Sequence, residues 1–282
     1  MSVLSQQRLS SSSEAVGRQR PVAIQDIQDY KTRGERFLML TAYDYPTAQI
    51  LDQAGLPLLL VGDSVGNNVL GYPSTVPVTL DEMLHHAAAV CRGASRALVV
   101  GDLPFMSYQV SPEDGMRAAG RLLKEAGVTA VKLEGGVRCA GLVARLVDAG
   151  IPVMGHIGLT PQSVNMLGYR VQGRQAEGAD RLLDDAVALA GAGAFSIVVE
   201  AVPAEVGKRI TEAVDVPTIG IGAGPHTDGQ VLVINDVLGL NAGRNPRFAK
   251  AYADLRSVIT DAVKSLSAEV ASGDYPGPEH SY

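Results

Sequence analysis

Short apolar runs recur along the chain from residue 36 onward, and a segment with helical character follows each of them. Most of these runs are uninterrupted rather than alternating, which is typical of parallel strands that are covered on both faces. The pattern therefore predicts eight strands, at residues 36–42, 56–62, 97–103, 130–134, 152–157, 195–201, 217–223 and, least distinctly, 231–237.

Helix signals fill the segments between these runs. Thr79-Leu-Asp-Glu82 has the form of a capping box, in which the threonine hydroxyl and the glutamate carboxylate each satisfy a backbone N–H. Ser111 and Thr160 each precede a proline and predict an N-cap with proline in the first helical turn. Helix ends are predicted where an alanine is followed by glycine, at Ala126-Gly127, Ala149-Gly150 and Ala192-Gly193.

Eight strand–helix units without a break in composition predict an α/β protein with a single (β/α)8 TIM barrel over residues 21–282. Residues 21–35 predict a helix that caps the bottom of the barrel, and 247–272 predict a terminal helix. A doubly wound open sheet is the structural alternative, but the first strand ends in Thr41-Ala-Tyr-Asp-Tyr45 without a glycine-rich turn. Residues 1–20 have a serine- and arginine-rich composition that a mitochondrial presequence can share. They lack an amphipathic face, so a disordered tail is expected.

The overall charge and hydropathy exclude several classes of protein. The 282 residues include 30 acidic and 24 basic side chains, a net charge of −6 that argues against a nucleic-acid surface. No apolar run approaches the roughly 18 residues of a membrane helix, and the N-terminus lacks the apolar core of a secretory signal. Cys91 and Cys139 form no CxxC motif and are expected to be free thiols. We expect a cytoplasmic protein with no nucleic-acid or membrane partner.

In a barrel of this kind, the chemistry belongs at the carboxyl ends of the strands. Asp63, Asp102 and Glu134 end three consecutive predicted strands, so they should converge in space. Three carboxylates without a thiol or a histidine pair favour a hard cation, Mg²⁺ or Mn²⁺. Lys132 lies two residues before Glu134 and should face the same way, toward a substrate anion. The alternative interpretation is a set of helix caps and salt bridges at the barrel rim.

Three further features could take part in the chemistry. Glu200 ends the run Ser196-Ile-Val-Val, and an apolar surround favours the neutral form of a carboxyl group, which suits a general base. A structural pairing with an arginine is the alternative. His156 could donate to a substrate or be an ordinary core histidine. Gly220-Ile-Gly-Ala-Gly224 lies where many barrels bind phosphate, although glycines also serve tight turns.

Several motifs follow one another in a specific order along the chain. They are Val61-Gly-Asp-Ser-Val-Gly66, Asp102-Leu-Pro-Phe105, Val131-Lys-Leu-Glu-Gly-Gly136, Gly155-His-Ile-Gly-Leu-Thr-Pro-Gln-Ser163, Gly220-Ile-Gly-Ala-Gly224 with Asp228-Gly-Gln230, and Glu279-His-Ser. From about residue 22 to the end, this ordered set resembles the ketopantoate hydroxymethyltransferase family.

The resemblance implies a transferase that moves a hydroxymethyl group from its co-substrate 5,10-methylenetetrahydrofolate to 3-methyl-2-oxobutanoate. The reaction would pass through a Mg²⁺-stabilised enolate and give 2-dehydropantoate, in the synthesis of pantothenate and coenzyme A. It implies one Mg²⁺ per subunit and a homodecamer. By similarity, Asp63 and Asp102 hold the metal, with Glu134 as a third ligand, directly or through water. Asp63, Ser64, Asp102 and Lys132 contact the keto acid, and Glu200 accepts the proton.

Two alternative functions stay open. A Mg²⁺-dependent carbon–carbon lyase or mutase of the isocitrate lyase type would share the barrel and the 2-oxo-acid enolate, but such enzymes often carry a reactive loop cysteine that Cys91 and Cys139 fit poorly. A catalytically inactive scaffold should have lost some of the acidic groups. The chain departs from the family pattern at Asn165–Tyr169, a loop one residue shorter than usual, and at His280–Tyr282.

Overall fold

The computed structural model describes residues 20–241, 243 and 245–282. Eight parallel strands follow one another in chain order around a closed barrel, which confirms the predicted (β/α)8 TIM barrel. The strands are β1 Phe37–Thr41, β2 Leu58–Val61, β3 Leu98–Asp102, β4 Ala130–Glu134, β5 Val153–Gly158, β6 Ser196–Glu200, β7 Thr218–Ile221 and β8 Gly229–Leu232.

Helices connect the strands and cover the outside of the barrel. Short 3-10 turns at Pro161–Ser163 and Pro278–His280 and a π turn at Leu122–Ala126 interrupt or extend them. The helices are α1 Ile24–Arg33, α2 Tyr45–Gln53, α3 Val65–Asn68, α4 Leu80–Gly93, α5 Pro112–Arg121, α6 Val137–Asp148, α7 Val164–Leu167, α8 Ala176–Gly191, α9 Ala204–Ala213, α10 Ile234–Leu238 and α11 Leu255–Ser272.

The alternation of side chains along each strand divides the core into two layers. On β2, Leu58 and Leu60 point into the barrel, while Leu59 and Val61 pack outward against the helices. The inner layer closes at the bottom on Ile27 of α1, which is fully buried. Helix α1 therefore caps the lower end of the barrel as predicted, and the site is expected at the upper end, where the strands end.

Most of the predicted helix signals lie at helix ends in the structure. The hydroxyl of Thr79 accepts from the backbone N–H of Glu82, whose carboxylate accepts from the N–H of Thr79, so the capping box forms. The hydroxyl of Ser111 accepts from the backbone N–H of Asp114 and so caps α5, without the reciprocal bond of a capping box. Thr160 makes no side-chain cap, because the segment after it begins with a 3-10 turn rather than an α-helix.

The eighth strand was predicted too late in the sequence. It runs over Gly229–Leu232, and Val233 is already the N-cap of α10. The apolar run 231–237 is thus divided between the end of a strand and a short helix that ends at Gly239 in the left-handed conformation. The terminal helix likewise begins later than residue 247, at Leu255, after an N-cap by Asp254. The predicted tail 1–20 lies outside the described residues except for Arg20.

Two expectations from the sequence concern the cysteines and membrane-spanning helices. Cys91 and Cys139 are both free thiols, as expected. None of the helices among the described residues combines the length and the apolar character needed to cross a membrane.

Candidate active site

The predicted site residues come together at the carboxyl ends of the strands, where the register of the barrel aligns them. Asp102 on β3 lies beside Lys132 on β4, and Glu134 on β4 lies beside His156 on β5. All of the residues predicted for the site line a single cavity of about 1280 Å³: Asp63, Ser64, Asp102, Lys132, Glu134 and Glu200.

Asp63 and Ser64 are placed by the sharp turn that follows β2. A Cβ at Gly62 would come within 2.8 Å of the Ser64 hydroxyl, so any larger residue there would displace the Ser64 side chain. The backbone N–H of Asp63 donates to Oδ2 of Asp102 over 3.0 Å, which ties the ends of β2 and β3 together. The Ser64 hydroxyl lies 2.8 Å from the buried hydroxyl of Tyr43 and is thereby oriented toward the cavity.

Lys132 is the cation at the centre of the cluster. Its Nζ lies 3.0 Å from Oδ1 of Asp102 and 3.3 Å from Nδ1 of His156. Burial lowers the pKa of Lys132, but the carboxylates of Asp102, Glu134 and Asp63 outweigh burial and raise the pKa above its usual value. The side chain therefore carries a positive charge at neutral pH.

His156 bridges two acidic residues. Its Nδ1 is 3.4 Å from Oε1 of Glu134, and its Nε2 is 3.2 Å from Oε2 of Glu200. Burial and Lys132 lower the pKa of His156, but Glu134 and Glu200 raise it to about 9. An imidazolium thus lies beside Glu200, so the surround of that glutamate is less apolar than its sequence suggested. Glu200 keeps 16% of its side chain exposed and faces the cavity.

Negative charge exceeds positive charge in this cluster. Burial, Asp102 and Glu134 raise the pKa of Asp63 well above its ordinary value, and burial raises that of Asp102 despite Lys132. Four carboxylates face two cationic side chains, and Oδ1 of Asp102 accepts no hydrogen bond of good geometry although Lys132 is close. Excess buried negative charge on oxygen donors fits a hard divalent cation such as Mg²⁺. Within the described residues, no three His, Cys, Asp or Glu side chains are already arranged to hold one.

Sequence reasoning missed several residues that hold the site in place. Gln162, Tyr108 and Tyr43 are buried polar side chains that contact the cluster. Gln162 lies inside a motif that carried the family resemblance, which was the available signal. In contrast, Asp44 follows β1 and caps α2, where its carboxylate accepts from the N–H of Thr47.

The glycine-rich segment after β7 serves close packing. A side chain at Gly224 would come within 2.4 Å of the Ala204 Cβ, and one at Gly222 within 2.8 Å of the Phe248 ring. Both glycines also have positive φ angles, of 82° and 65°. The turn therefore requires glycine for steric reasons alone, so its glycines are not evidence of a phosphate site.

Comparisons with known proteins place the chain in a family. The family model described as ketopantoate hydroxymethyltransferase matches residues 21–278. A 3-methyl-2-oxobutanoate hydroxymethyltransferase of Chloroflexus aurantiacus is 60% identical over 260 residues, which cover 92% of each chain. A protein of the same name from Streptomyces coelicolor is 58% identical over 93% of this chain and 90% of its own.

Solved structures support the architecture. A 2,3-dimethylmalate lyase, described as a member of the PEP mutase/isocitrate lyase superfamily, superposes with a TM-score of 0.59. The match covers 92% of this chain and 88% of the lyase, at 16% sequence identity. At that identity the similarity shows that the two proteins share a fold, and it does not show that they share a reaction. Because the family model spans nearly all the described residues and the relatives are 58–60% identical, the chain belongs to the ketopantoate hydroxymethyltransferase family.

Proposed function

We propose that the protein transfers a hydroxymethyl group from 5,10-methylenetetrahydrofolate to 3-methyl-2-oxobutanoate, forming 2-dehydropantoate. The observation that carries the proposal is the cavity in which Asp63, Asp102, Lys132, Glu134 and Glu200 converge, in a chain of this family. A volume of about 1280 Å³ is far larger than a five-carbon keto acid needs, which supports entry of a second, larger substrate.

The metal we propose is one Mg²⁺ per subunit, held by Asp63 and Asp102 directly. Glu134 would reach it through water, because Oε2 of Glu134 already accepts the N–H of Gln162 and Oε1 faces His156. When bound, Mg²⁺ supplies a Lewis acid that polarises the ketone of the substrate.

The side chains of the chain have separate roles in this proposal. Ser64 donates to the carboxylate of the keto acid, and Asp63 and Asp102 contact the substrate at its metal-facing end. Lys132, buried and charged, stabilises the negative charge that develops on the ketone oxygen. Glu200 takes the proton from C3. Water cleaves both C–N bonds of the folate methylene, so that tetrahydrofolate leaves with the protons of the water on its nitrogens and the one-carbon unit becomes formaldehyde. The carbon nucleophile adds to the formaldehyde carbon, and the resulting alkoxide takes the proton back from Glu200 to give the new hydroxyl group.

The position of His156 supports Glu200 as the base. Glu134 lies near one ring nitrogen and Glu200 lies 3.2 Å from the other, so the positive ring faces the Glu200 carboxylate at the cavity wall, although Nε2 makes no hydrogen bond of good geometry. Gly158, the neighbour of Glu200 in the register, has a φ of 94° and would place a Cβ only 2.1 Å from the Glu200 carbonyl oxygen. Position 158 therefore requires glycine for this close approach of β5 to the backbone of Glu200.

The decisive experiment separates proton removal from group transfer. Wild-type protein with Mg²⁺ should exchange the C3 proton of 3-methyl-2-oxobutanoate in D₂O and should form 2-dehydropantoate when the folate is added. Chelation by EDTA should stop both, and added Mg²⁺ should restore them. We expect Glu200→Gln to slow the exchange by about 10²–10⁴-fold, since a positioned base contributes that much.

Glu205→Gln is the matched control, because Glu205 lies five residues further along the chain in the exposed first turn of α9. It should exchange and turn over like the wild type. Exchange at the wild-type rate in Glu200→Gln would remove Glu200 as the base. A wild-type protein that exchanges the proton but never forms product would overturn the proposed transfer. The homodecamer and the cytoplasmic location expected from the sequence stay predictions.

A further inference from the structure

Gln162 is a neutral residue that contacts two carboxylates of the acidic cluster, Asp63 and Glu134. It lies in the 3-10 turn Pro161–Ser163 after β5 and is 5% exposed. The amide nitrogen donates to Oδ2 of Asp63 and to the carbonyl oxygen of Leu103, both over 2.9 Å. Both hydrogens of the amide group are therefore donated to residues that follow β2 and β3.

The orientation of this amide is determined from its other side. The Gln162 Oε1 lies 2.9 Å from the hydroxyl of Tyr108 and accepts from Nε2 of Gln109 over 3.0 Å. A flipped amide would set its oxygen against the Asp63 carboxylate and the Leu103 carbonyl, where three acceptors would meet without a proton. The Tyr108 hydroxyl also accepts the backbone N–H of Glu134, so the residue that orients the Gln162 amide is itself bound to β4.

The backbone of Gln162 makes a second connection. Its N–H donates to Oε2 of Glu134 over 3.0 Å. One residue therefore restrains two carboxylates, Asp63 through its side chain and Glu134 through its main chain. Those carboxylates reach the cavity from β2 and β4, and their charges repel each other.

The neutrality of the amide matters for what the cluster can bind. An arginine or lysine here would also orient Asp63, but it would neutralise the carboxylate that a cation needs. A glutamine donates two hydrogen bonds without adding charge. It therefore orients the oxygens and leaves the excess negative charge in place, which is how outer contacts prepare carboxylate ligands for a metal.

We propose that Gln162 is a positioning residue that holds the carboxylates of Asp63 and Glu134 ready for a divalent cation. The inference rests on the proposed function for the presence of the cation, and it adds a residue that acts only through the two carboxylates. Its effect should appear first in metal affinity and only then in turnover.

The test measures binding of Mn²⁺ and Mg²⁺ alone to the folded protein without substrates, by calorimetry and by the electron paramagnetic resonance of free Mn²⁺. Gln162→Leu keeps the size and the backbone N–H but loses both side-chain donors, and it should bind the metal about 10–100-fold more weakly. Gln162→Glu presents an anion to Asp63 and Leu103, and its unfolding midpoint in EDTA should fall below that of Gln162→Leu. Tyr108→Phe removes the hydroxyl beside Gln162 Oε1, which is also the acceptor of the Glu134 N–H, but leaves both donors of Gln162 in place, so it should weaken metal binding less than Gln162→Leu.

Gln230→Leu is the matched control. The Gln230 amide donates to the Thr227 hydroxyl and the Gly224 carbonyl and does not touch the cluster, so this variant should lose stability and keep its metal affinity. A purely structural role for Gln162 predicts the same pattern for Gln162→Leu. Wild-type metal affinity in folded Gln162→Leu would therefore overturn the proposal. If that variant does not fold, wild-type affinity in Tyr108→Phe overturns it instead.

The outcomes also separate this inference from the proposed function. Should the wild type bind Mn²⁺ and yet form no 2-dehydropantoate, the proposed function fails while the affinity series still tests Gln162. Should the wild type be active and Gln162→Leu bind metal normally, only the role of Gln162 fails. A wild type that binds neither metal overturns the positioning role together with the metal site.

Discussion

The two ends of the barrel bury acidic side chains in opposite ways. At the amino end, the carboxylate of Asp52 accepts from the backbone N–H groups of Ser95, Arg96 and Ala97 and from the Ser95 hydroxyl. Burial raises the pKa of Asp52, but these four donors outweigh burial and lower the pKa below its ordinary value. The charge is more stable there than it is in water.

A second acid at the amino end is satisfied in a similar way. Asp228 pairs with Lys31 of α1 over 3.0 Å and also accepts from the N–H and the hydroxyl of Thr218. These contacts join the capping helix α1 to β7 and to the start of β8. Acids at this end therefore stabilise the barrel, with every bond supplied by the chain itself.

At the carboxyl end, the acids are buried with too few donors. Asp63 has Gln162 as a donor but lies near Asp102 and Glu134, and its pKa rises instead of falling. The comparison shows that burial alone does not determine the role of a carboxylate. Where the donors are complete the acid contributes stability, and where they are incomplete it costs stability and can bind a cation or a proton.

The largest expected difference between the ends is in their lysines. Lys132→Met leaves Asp102 and its neighbours without their buried cation, so we expect a loss of about 3–5 kcal/mol in the free energy of unfolding in EDTA. Lys31→Met leaves Asp228 with both groups of Thr218 and partial access to water, so it should cost only about 1 kcal/mol. Urea unfolding of both variants tests this, and equal losses would contradict the comparison.

The activity of the two lysine variants should diverge further. Lys132→Met should lose about 10²–10³-fold in turnover, because it removes the charge proposed to stabilise the ketone oxygen. Lys31→Met should turn over at the wild-type rate wherever it is folded. A Lys132→Met variant with normal turnover would show that the buried lysine serves only to balance charge.

The barrel and the position of its acids could be predicted because both depend on local patterns. Uninterrupted apolar runs indicated seven of the strands within a few residues, and the rule for strand ends then led to Asp63, Asp102 and Glu134. The eighth strand escaped because β8 has a half-buried pattern and begins at Gly229, where the sequence is typical of a turn. A strand that leaves alternate residues partly exposed gives only a weak apolar signal.

The supporting residues could not be predicted in the same way. Gln162 reaches Asp63 across 99 positions of sequence and Leu103 across 59. Such hydrogen bonds depend on how three loops meet, and no local pattern of apolar and polar residues encodes that. The pairing of His156 with Glu200 is similar, since it follows from the register of β4, β5 and β6 around the barrel.

A pair of isosteric substitutions should shift stability in opposite directions. Asp52→Asn replaces an acceptor of four hydrogen bonds with an amide whose nitrogen faces donors, and should cost about 2–3 kcal/mol in unfolding free energy. Asp63→Asn removes charge from an uncompensated cluster and should stabilise the metal-free protein by about 1 kcal/mol. Unfolding in EDTA measures both. If Asp63→Asn destabilises the protein in EDTA, repulsion among these acids does not lower the stability of the metal-free fold.

The smallest expected effect is the pH dependence of the stability changes caused by Asp52→Asn and Asp63→Asn. The pKa of Asp52 lies below that of the unfolded chain, so its stabilisation is fully present above the unfolded pKa and is lost as the pH falls through the folded pKa. The pKa of Asp63 lies above that of the unfolded chain, so its carboxylate destabilises the fold at neutral pH. That cost disappears as the pH falls through the folded pKa toward the unfolded one.

The two variants should therefore approach the wild type on acidification in different pH ranges. Asp63→Asn should approach it from above, between the raised folded pKa of Asp63 and the unfolded pKa of about 4, whereas Asp52→Asn should approach it from below only when the pH falls beneath about 4. Urea unfolding of all three proteins in EDTA from about pH 8 to about pH 3 measures both changes, each with a slope of at most about 1.4 kcal/mol per pH unit. The gap of Asp63→Asn should begin to close at the higher pH, since its folded pKa is the raised one. If Asp52→Asn converges first, the two ends of the barrel do not differ in the way that their hydrogen bonds indicate.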